Sequence, residues 1–313
     1  MEMTLPQLAV PLGGRVSVPR QDEAPSTTSL SSRPAATRAA AYGICLVCHG
    51  PAAAGTTRCW SCREVVGQLG MPPPRVVPIC LFELGSPVHR ALVGYKAAVS
   101  PAGRRARTEA LARMLAAFLR IHFACLLEPL GLLEPLGAEP LGAERAKITP
   151  VPSSIGGRPS WHGQHPLATI CAVAAAHLPE LGEFLEPSLL LRPGPCPPGR
   201  LAARAEGFLV TEAAEVAGTT VVVIDDVFTS GARALSAAAA LQKAGARVAA
   251  IVPLGRLVRP EHNPATAAFW AIQQSRRYRI DECTACRREA VAQAPAALAW
   301  QERRHAIVTR IAA

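Results

Sequence analysis

The sequence is poor in aromatic residues and has no long uninterrupted apolar run. Aromatic side chains make up 4% of the 313 residues, so Ala, Val and Leu must fill the core. No stretch reaches the roughly 18 consecutive apolar residues of a membrane-spanning helix, which predicts no membrane span. No basic start precedes an apolar segment at the N-terminus, so we expect no signal peptide. We therefore expect a cytoplasmic protein whose ten cysteines stay reduced.

The chain is basic, although only 18% of its residues are charged. Its formal net charge is +10, which is typical of proteins that meet polyanions such as nucleic acids or phosphorylated ligands. Ten arginines and five acidic residues lie between Arg256 and the C-terminus. We interpret these arginines as a solvated surface rather than a DNA-binding groove, because they do not form a regular stripe of alternating basic and aromatic residues.

Composition divides the chain into several regions. Residues 1–40 are rich in Pro, Ser, Thr, Ala and Arg without periodicity, which predicts a disordered extension. A cysteine-rich module spans 41–70, an α/β domain 75–256, and an Arg-rich extension 257–313. Within the domain, 126–145 repeats Leu-Glu-Pro-Leu-Gly with a proline in every copy, which predicts a loop insertion.

The later part of the domain has the pattern of a βαβ unit. Val221–Asp225 and Arg247–Val252 are apolar strands, and a helix over Ala232–Ala244, ended by Gly245, joins them. Such apolar strands are typical of a parallel sheet that helices cover on both faces. Further predictions are strands over Val76–Leu84 and Ile148–Val151, and helices over Arg104–Phe123 and Gln164–Leu178.

Two acids, Asp225 and Asp226, end the first of these strands, and a short Thr-Ser-Gly loop opens the helix. Ligands of open α/β sheets bind beyond the carboxyl ends of the strands, and free N–H groups at a helix start favour an anion. Carboxylates would repel a phosphate but can hold sugar hydroxyls, or a metal ion that bridges hydroxyls and pyrophosphate. The pattern predicts a phosphorylated sugar ligand. The alternative is that Asp226 or Thr229 only caps the helix.

Four cysteines in the N-terminal module are spaced like zinc ligands. Cys45-x-x-Cys48 is followed after ten residues by Cys59-x-x-Cys62, and two such turns can close a tetrahedron around a structural zinc ion. Redox pairs or free core thiols are the alternatives.

The remaining cysteines are less informative. Three interpretations of Cys283-x-x-Cys286 stay open: half of another metal site, additional cysteines near the four-cysteine site, or an exposed thiol pair. The other four are interpreted as buried small side chains or loop thiols, namely Cys80, Cys125, Cys171 and Cys196.

The loop resembles the 5-phosphoribosyl-1-pyrophosphate motif of type I phosphoribosyltransferases, in which two acids precede a Thr-rich phosphate loop. Where that family has Thr-Gly-x-Thr, this chain has Ser230-Gly231-Ala232-Arg233. The order of parts over 41–256 is similar to the ComF family, phosphoribosyltransferase-like proteins associated in some bacteria with DNA uptake. Tyr95-Lys96 matches its Tyr-Lys segment, and Pro150–Ser153 its Pro-Val-Pro turn.

The resemblance implies a type I phosphoribosyltransferase fold, a Mg²⁺-bound sugar pyrophosphate and transfer of its phosphoribosyl group to a nitrogen acceptor. It implies that Asp225 and Asp226 are catalytic. The substrate-binding residues are then Val227, Phe228, Thr229, Ser230, Gly231, Ala232, Arg233, Val151, Pro152, Ser153, Lys96 and Arg204. The alternative function is a non-catalytic protein that senses this ligand or handles single-stranded DNA. The sequence is compatible with a homodimer and does not decide the oligomeric state.

Overall fold

The computed structural model describes residues 43–97, 100–127, 146–152, 154–155, 158–159, 165–186, 192–194, 196–211 and 216–286. The predicted N-terminal extension, most of the loop insertion and Ser153 lie outside these residues.

A five-stranded parallel sheet forms the centre of the described structure. Its strands are β1 (Arg75–Val76), β2 (Leu81–Phe82), β3 (Ala146–Pro150), β8 (Thr220–Phe228) and β9 (Arg247–Leu257). The order is β1, β9, β8, β3, and β2 also pairs with β9. Two small antiparallel pairs lie outside the sheet, β4 (Ser154–Ile155) with β5 (Arg158–Pro159) and β6 (Arg192–Pro193) with β7 (Phe208–Leu209).

Helices cover both faces of the sheet. They are α1 (Trp60–Leu69), α2 (Pro87–Ala97), α3 (Pro101–Leu127), α4 (Pro166–His177), α5 (Ala232–Lys243) and α6 (Pro264–Gln274). Successive side chains of β8 point to opposite faces, as strand geometry requires. Val222 and Ile224 pack in a core with α2, α3 and α4, whereas Val221 and Val223 pack in a second core with α1 and α5. The predicted α/β architecture with a helix-flanked parallel sheet is confirmed.

Helix α3 is the most apolar long helix among the described residues. By length and composition it could cross a membrane, but 72% of its most apolar window is buried inside the protein. Leu111, Leu115, Phe118 and Leu119 are each at most 2% exposed and belong to the first core. Because most of α3 is buried in the protein, its apolar composition is that of a core helix.

The strand predicted over Val76–Leu84 is divided in the structure. β1 and β2 both pair with β9, and Pro78 lies between them. Proline has no N–H to donate to a neighbouring strand. The N–H groups of Val77 and Ile79, on either side, still donate to Ile251 and Pro253 at 2.8 and 3.0 Å. The segment therefore follows β9 continuously even though its strand pairing is interrupted.

Candidate functional site

A cleft of about 220 Å³ opens where β3 ends and β8 approaches its carboxyl end. Its lining combines two acids, two cations and apolar side chains, contributed by Lys96, Val151, Pro152, Leu167, Asp225, Asp226, Val227 and Arg233. All of these except Leu167 are among the residues predicted from the sequence. The parallel register pairs Pro150 with Ile224, which places the turn after β3 beside the two acids of β8. This is the edge at which open α/β sheets bind ligands.

Asp226 is held by two donors from the end of α2. The hydroxyl of Tyr95 donates to its Oδ2 at 2.6 Å, and the Lys96 ammonium forms an ion pair with the same oxygen. Burial opposes ionisation of this carboxyl, but the Lys96 charge and these hydrogen bonds bring its pKa below the ordinary value. Asp226 is therefore an anion that fixes the position of Lys96 at the cleft.

Asp225 has the opposite electrostatic character. It is 6% exposed, and its Oδ1 accepts the N–H of Asp226 at 3.0 Å. Burial, together with the adjacent Asp226 charge, raises the pKa of Asp225 from 3.8 to about 7. Two neighbouring carboxyls with pKa values moved apart are a common feature of functional sites. Asp225 can accept or release a proton near neutral pH.

The shifted pKa of Asp225 predicts a pH-dependent cost to stability. The folded state binds the proton of the Asp225 carboxyl more tightly than the unfolded chain does. The stability that this proton contributes is therefore fully present below about pH 4 and is lost as the pH rises to about 7. We expect Asp225→Asn to be more stable than the wild type at pH 8, by up to roughly 4 kcal/mol, because each unit of the pKa difference corresponds to about 1.4 kcal/mol. The gain should shrink towards pH 4, as measured by urea unfolding without ligand.

The matched control is Asp281→Asn, the same exchange at an exposed carboxylate paired with Arg279. The hydrogen bond from Arg279, helped by its charge, lowers the pKa of Asp281, so this variant should gain no stability at pH 8. If Asp225→Asn also gains none, Asp225 is not a destabilising buried acid.

The loop between β8 and α5 requires glycine at position 231. Gly231 has φ +83° and precedes the first turn of α5. A Cβ there would lie 2.1 Å from Cζ of the buried Phe228 ring. Ser230 Oγ accepts the N–H of Ala232 at 3.3 Å and donates to the carbonyl of Arg200. The backbone N–H groups at the start of α5 are thus presented by a tightly fitted turn beside the acids.

Arg233 connects this loop with the turn after β3. Its guanidinium donates to the carbonyl oxygen of Pro152 and lies 6.0 Å from the centre of the Phe208 ring. It brings a second positive charge, beside that of Lys96, into the cleft. Guanidinium groups bind phosphate through paired hydrogen bonds, so this position suits a phosphorylated ligand.

Four other predicted residues are not among those that line the cleft. Arg204 is exposed and is not among the residues that line the cleft; its backbone N–H donates to Ser236 Oγ at 2.9 Å. Thr229 is exposed at the tip of the loop. Ala232 and Phe228 are buried beneath that loop, where they pack in the second core. They support the turn rather than line the cleft.

Three residues at this site were not predicted. Tyr95 was noted only as part of a family match, yet its hydroxyl binds Asp226. Leu167 contributes an apolar wall. His165 accepts the N–H of Ala168 at the start of α4, and burial and the Lys96 charge lower its pKa to about 4. The sequence gives no local signal for Leu167 or His165, because they reach the site only through the packing of α4.

The four cysteines of the N-terminal module form a group that could hold a metal ion. The sulfurs of Cys45, Cys48, Cys59 and Cys62 lie within 4.8 Å of one another, with Cys48 and Cys59 at 3.8 Å. Hydrogen bonds from the other three thiols, first of all Cys45, lower the pKa of Cys48, and the Arg256 charge adds to the effect. Thiolates in this arrangement are the ligands of structural zinc sites.

Arg256 lies between this cysteine group and the end of β8, where the loop to α5 begins. Its side chain is buried, packs so closely on Gly50 that a Cβ there would be 2.8 Å from Nη2, and lies 5.7 Å from the Phe228 ring centre. Its Nη1 donates to the carbonyls of Phe228 and Leu257. A buried cation needs a nearby anion, and Cys48, whose lowered pKa favours the thiolate, contributes most to raising the pKa of Arg256. The sequence did not indicate this role.

In comparisons with known proteins, no family model and no curated protein sequence matches this chain. The interpretation of the site therefore depends on its own geometry and charges.

Proposed function

We propose that this chain binds 5-phosphoribosyl-1-pyrophosphate with Mg²⁺ in the cleft and transfers the phosphoribosyl group to a nitrogen acceptor. The observation that carries the proposal is the sharing of one cleft by Asp225, Asp226, Lys96 and Arg233 beside the start of α5. A sugar hydroxyl needs an acceptor and a phosphate needs cations or N–H donors, and the cleft offers both. The type I phosphoribosyltransferase fold is part of the same proposal.

Each end of the ligand would meet a different part of the cleft. The 5′-phosphate would accept hydrogen bonds from N–H groups of the loop 229–233, with Arg233 as its cation. The ribose hydroxyls would donate to the carboxylates of Asp225 and Asp226. Lys96, oriented by its ion pair with Asp226, would face the pyrophosphate. Mg²⁺ would neutralise charge on the pyrophosphate, and the oxygen ligands that it prefers fit this acidic end of the cleft.

The transfer exchanges one bond at C1 of the ribose for another. An acceptor nitrogen attacks C1, the C1–O bond to pyrophosphate breaks, and pyrophosphate leaves with that electron pair. The acceptor then loses a proton. The transition state has a cation-like sugar, so the nearby carboxylates stabilise charge where it develops and the cations assist departure of the leaving group. The loop 229–233 and the turn at Pro152 position the ligand, and this positioning supplies the rest of the rate enhancement.

Calorimetry with Mg²⁺ and 5-phosphoribosyl-1-pyrophosphate tests the binding step. We expect the wild type to bind and Asp225→Asn/Asp226→Asn to lose at least about tenfold in affinity, because one lost hydrogen bond to a charged group costs roughly 1.5–3 kcal/mol. Glu261→Gln, an exchange at an exposed acid, is the control that keeps wild-type binding. Equal affinity of the double variant and the wild type would overturn the proposal.

Turnover separates an enzyme from a protein that only senses the ligand. Pyrophosphate release is measured with a panel of nucleobases and amines, and single-stranded DNA binding is measured over a range of salt concentrations. Turnover with any acceptor supports the transferase. Ligand binding without turnover, accompanied by salt-sensitive DNA binding, supports the non-catalytic function instead.

We further propose that the ion at the four-cysteine group is zinc in a closed structural site. Four thiolates leave no position for water, which favours a structural over a catalytic metal. Cys45, Cys48 and Cys62 are buried in the second core and Cys59 is half-buried against it, whereas the attacking cysteine of a disulfide-exchange pair must be accessible to a partner protein.

A further inference from the structure

A second group of metal-binding side chains joins the end of α3 to the C-terminal part of the described chain. His122 and Cys125 lie one turn apart on α3, and Cys283 and Cys286 follow α6. The four ligand atoms lie within 4.8 Å of one another. Cys125 and Cys283 are 158 positions apart in sequence, so folding alone brings them together.

The distances inside this group fit one tetrahedral ion. The three sulfurs are separated by 3.3 Å (Cys125 to Cys286), 3.4 Å (Cys283 to Cys286) and 3.7 Å (Cys125 to Cys283). His122 Nδ1 lies 3.2 Å from the Cys286 sulfur and 3.8 Å from the Cys125 sulfur. A zinc–sulfur bond of about 2.3 Å implies edges near 3.8 Å, and a disulfide would need about 2.05 Å.

The surroundings orient the ligands as in metal sites. The opposite ring nitrogen of His122, Nε2, lies 2.8 Å from the Ile280 carbonyl and can donate to it, which leaves Nδ1 without its proton and directed at the sulfurs. Metal-bound histidines commonly donate their second nitrogen to a carbonyl in this way. The Cys286 N–H donates to the Cys283 sulfur at 3.3 Å, a contact that stabilises a thiolate.

Burial argues against four uncoordinated side chains. His122 is 0%, Cys283 1% and Cys125 4% exposed, and Cys286 is half-buried. Most contacts within the group are made by sulfur, which is only a weak hydrogen-bond donor and acceptor. A divalent cation would bind all four ligand atoms at once.

We propose that His122, Cys125, Cys283 and Cys286 bind a second zinc ion, in a structural Cys₃His site that fastens residues 275–286 to α3. The site is closed, since four protein ligands complete the tetrahedron. It also explains how a segment without a long helix or strand keeps Tyr278 and Ile280 packed against the first core. The proposal is independent of the ligand bound at the cleft.

Elemental analysis of the purified full-length chain tests the stoichiometry. We expect two zinc ions per chain in the wild type, one in Cys283→Ser/Cys286→Ser and two in Cys171→Ala, whose buried thiol belongs to neither group. One zinc in the wild type that is retained by Cys283→Ser/Cys286→Ser would overturn the proposal. A Cys283–Cys286 disulfide in unreduced protein, or iron with acid-labile sulfide, would overturn it as well.

A second variant guards against loss of metal through misfolding. Since the His122 ring faces the group through Nδ1, the nitrogen nearer the backbone, a cysteine sulfur at this position can take its place. We expect His122→Cys to keep two metal ions and, with Co²⁺ in place of zinc, to show stronger thiolate-to-metal charge-transfer absorption than the wild type. An unchanged Co²⁺ spectrum would mean that residue 122 is not a ligand.

Discussion

Exchanging Cys45 and Cys59 together for serine is expected to remove the metal from the N-terminal module and to lower the free energy of unfolding by at least about 3 kcal/mol. Structural zinc sites contribute their binding energy directly to folding, and apparent values of about 10 kcal/mol or more are known for small zinc modules. Here the module also packs Val47, Val65 and Val66 into the second core. Urea unfolding followed by circular dichroism measures the loss.

The effect should exceed that of losing two thiols, because Arg256 depends on the same group. Cys48, Cys59 and Cys62 supply the negative charge next to Arg256, and the variant removes Cys59 together with the metal that keeps the other thiols ionised. The guanidinium would stay buried beside Gly50 and Phe228 with less counter-charge. Complete loss of one partner of a buried ion pair costs about 3–5 kcal/mol, which is the upper bound for this contribution. Cys196→Ser, at an exposed thiol, is the control with no expected change. A double variant as stable as that control would contradict a structural metal.

The parts of the fold that could be predicted are those that depend on local sequence patterns within one continuous segment. The βαβ unit from β8 to β9 was predicted because apolar runs, a loop and a cap follow one another within about 30 residues. Strand β9 nevertheless extends five residues beyond the predicted Val252, through Pro253, to Leu257. The extension depends on pairing with β2, whose Leu81 and Phe82 lie opposite Arg256 and Leu257. That pairing joins distant segments and has no local signal.

The candidate site shows the same division between local and long-range information. The pair Asp225–Asp226 and Gly231 could be identified from the order of residue types alone. Lys96 could be proposed only through a family match, and its ion pair with Asp226 results from the packing of α2 against the end of β8. The sequence also did not reveal that Arg233 reaches Pro152, since its side chain crosses between two loops.

The metal ligands give the clearest comparison. Cys45, Cys48, Cys59 and Cys62 lie within 18 residues, so their spacing alone predicted a metal group. Cys125 was instead interpreted as a buried small side chain, and His122 was not considered. Helical spacing places those two on one face of α3, but their partners lie some 160 positions later in the chain. A ligand set divided in this way becomes visible only in three dimensions.

Gly231→Ala is expected to lower the free energy of unfolding by about 2–5 kcal/mol and to abolish the proposed binding of the sugar pyrophosphate. A left-handed backbone costs an L-residue about 1–2 kcal/mol, and overpacking a buried ring adds about 1–3 kcal/mol. The new Cβ would lie 2.1 Å from the Phe228 ring, which is fully buried. Urea unfolding and calorimetry measure the two losses.

The chain supplies a matched control for the same chemical change. Gly67 is exposed within α1, and a Cβ there would meet nothing within 4 Å. Gly67→Ala should therefore raise stability, by up to about 1 kcal/mol, because alanine favours a helix. The two substitutions are predicted to change the free energy of unfolding in opposite directions, so the result cannot be explained by a general effect of adding a methyl group. Similar stability of both variants would mean that the turn tolerates a side chain.

Loss of binding in Gly231→Ala would follow from the contacts behind the loop. Phe228 fills the space that a Cβ would need, and Arg256 lies against that ring and against Gly50 of the cysteine module. A displaced ring has little room to move, because closely packed interiors transmit strain to their neighbours. The backbone at residues 229–231 must then shift, and with it the N–H groups that we propose hold the 5′-phosphate. If the Gly231→Ala protein folds and binds the sugar pyrophosphate as tightly as the wild type, the turn at Gly231 does not take part in ligand binding.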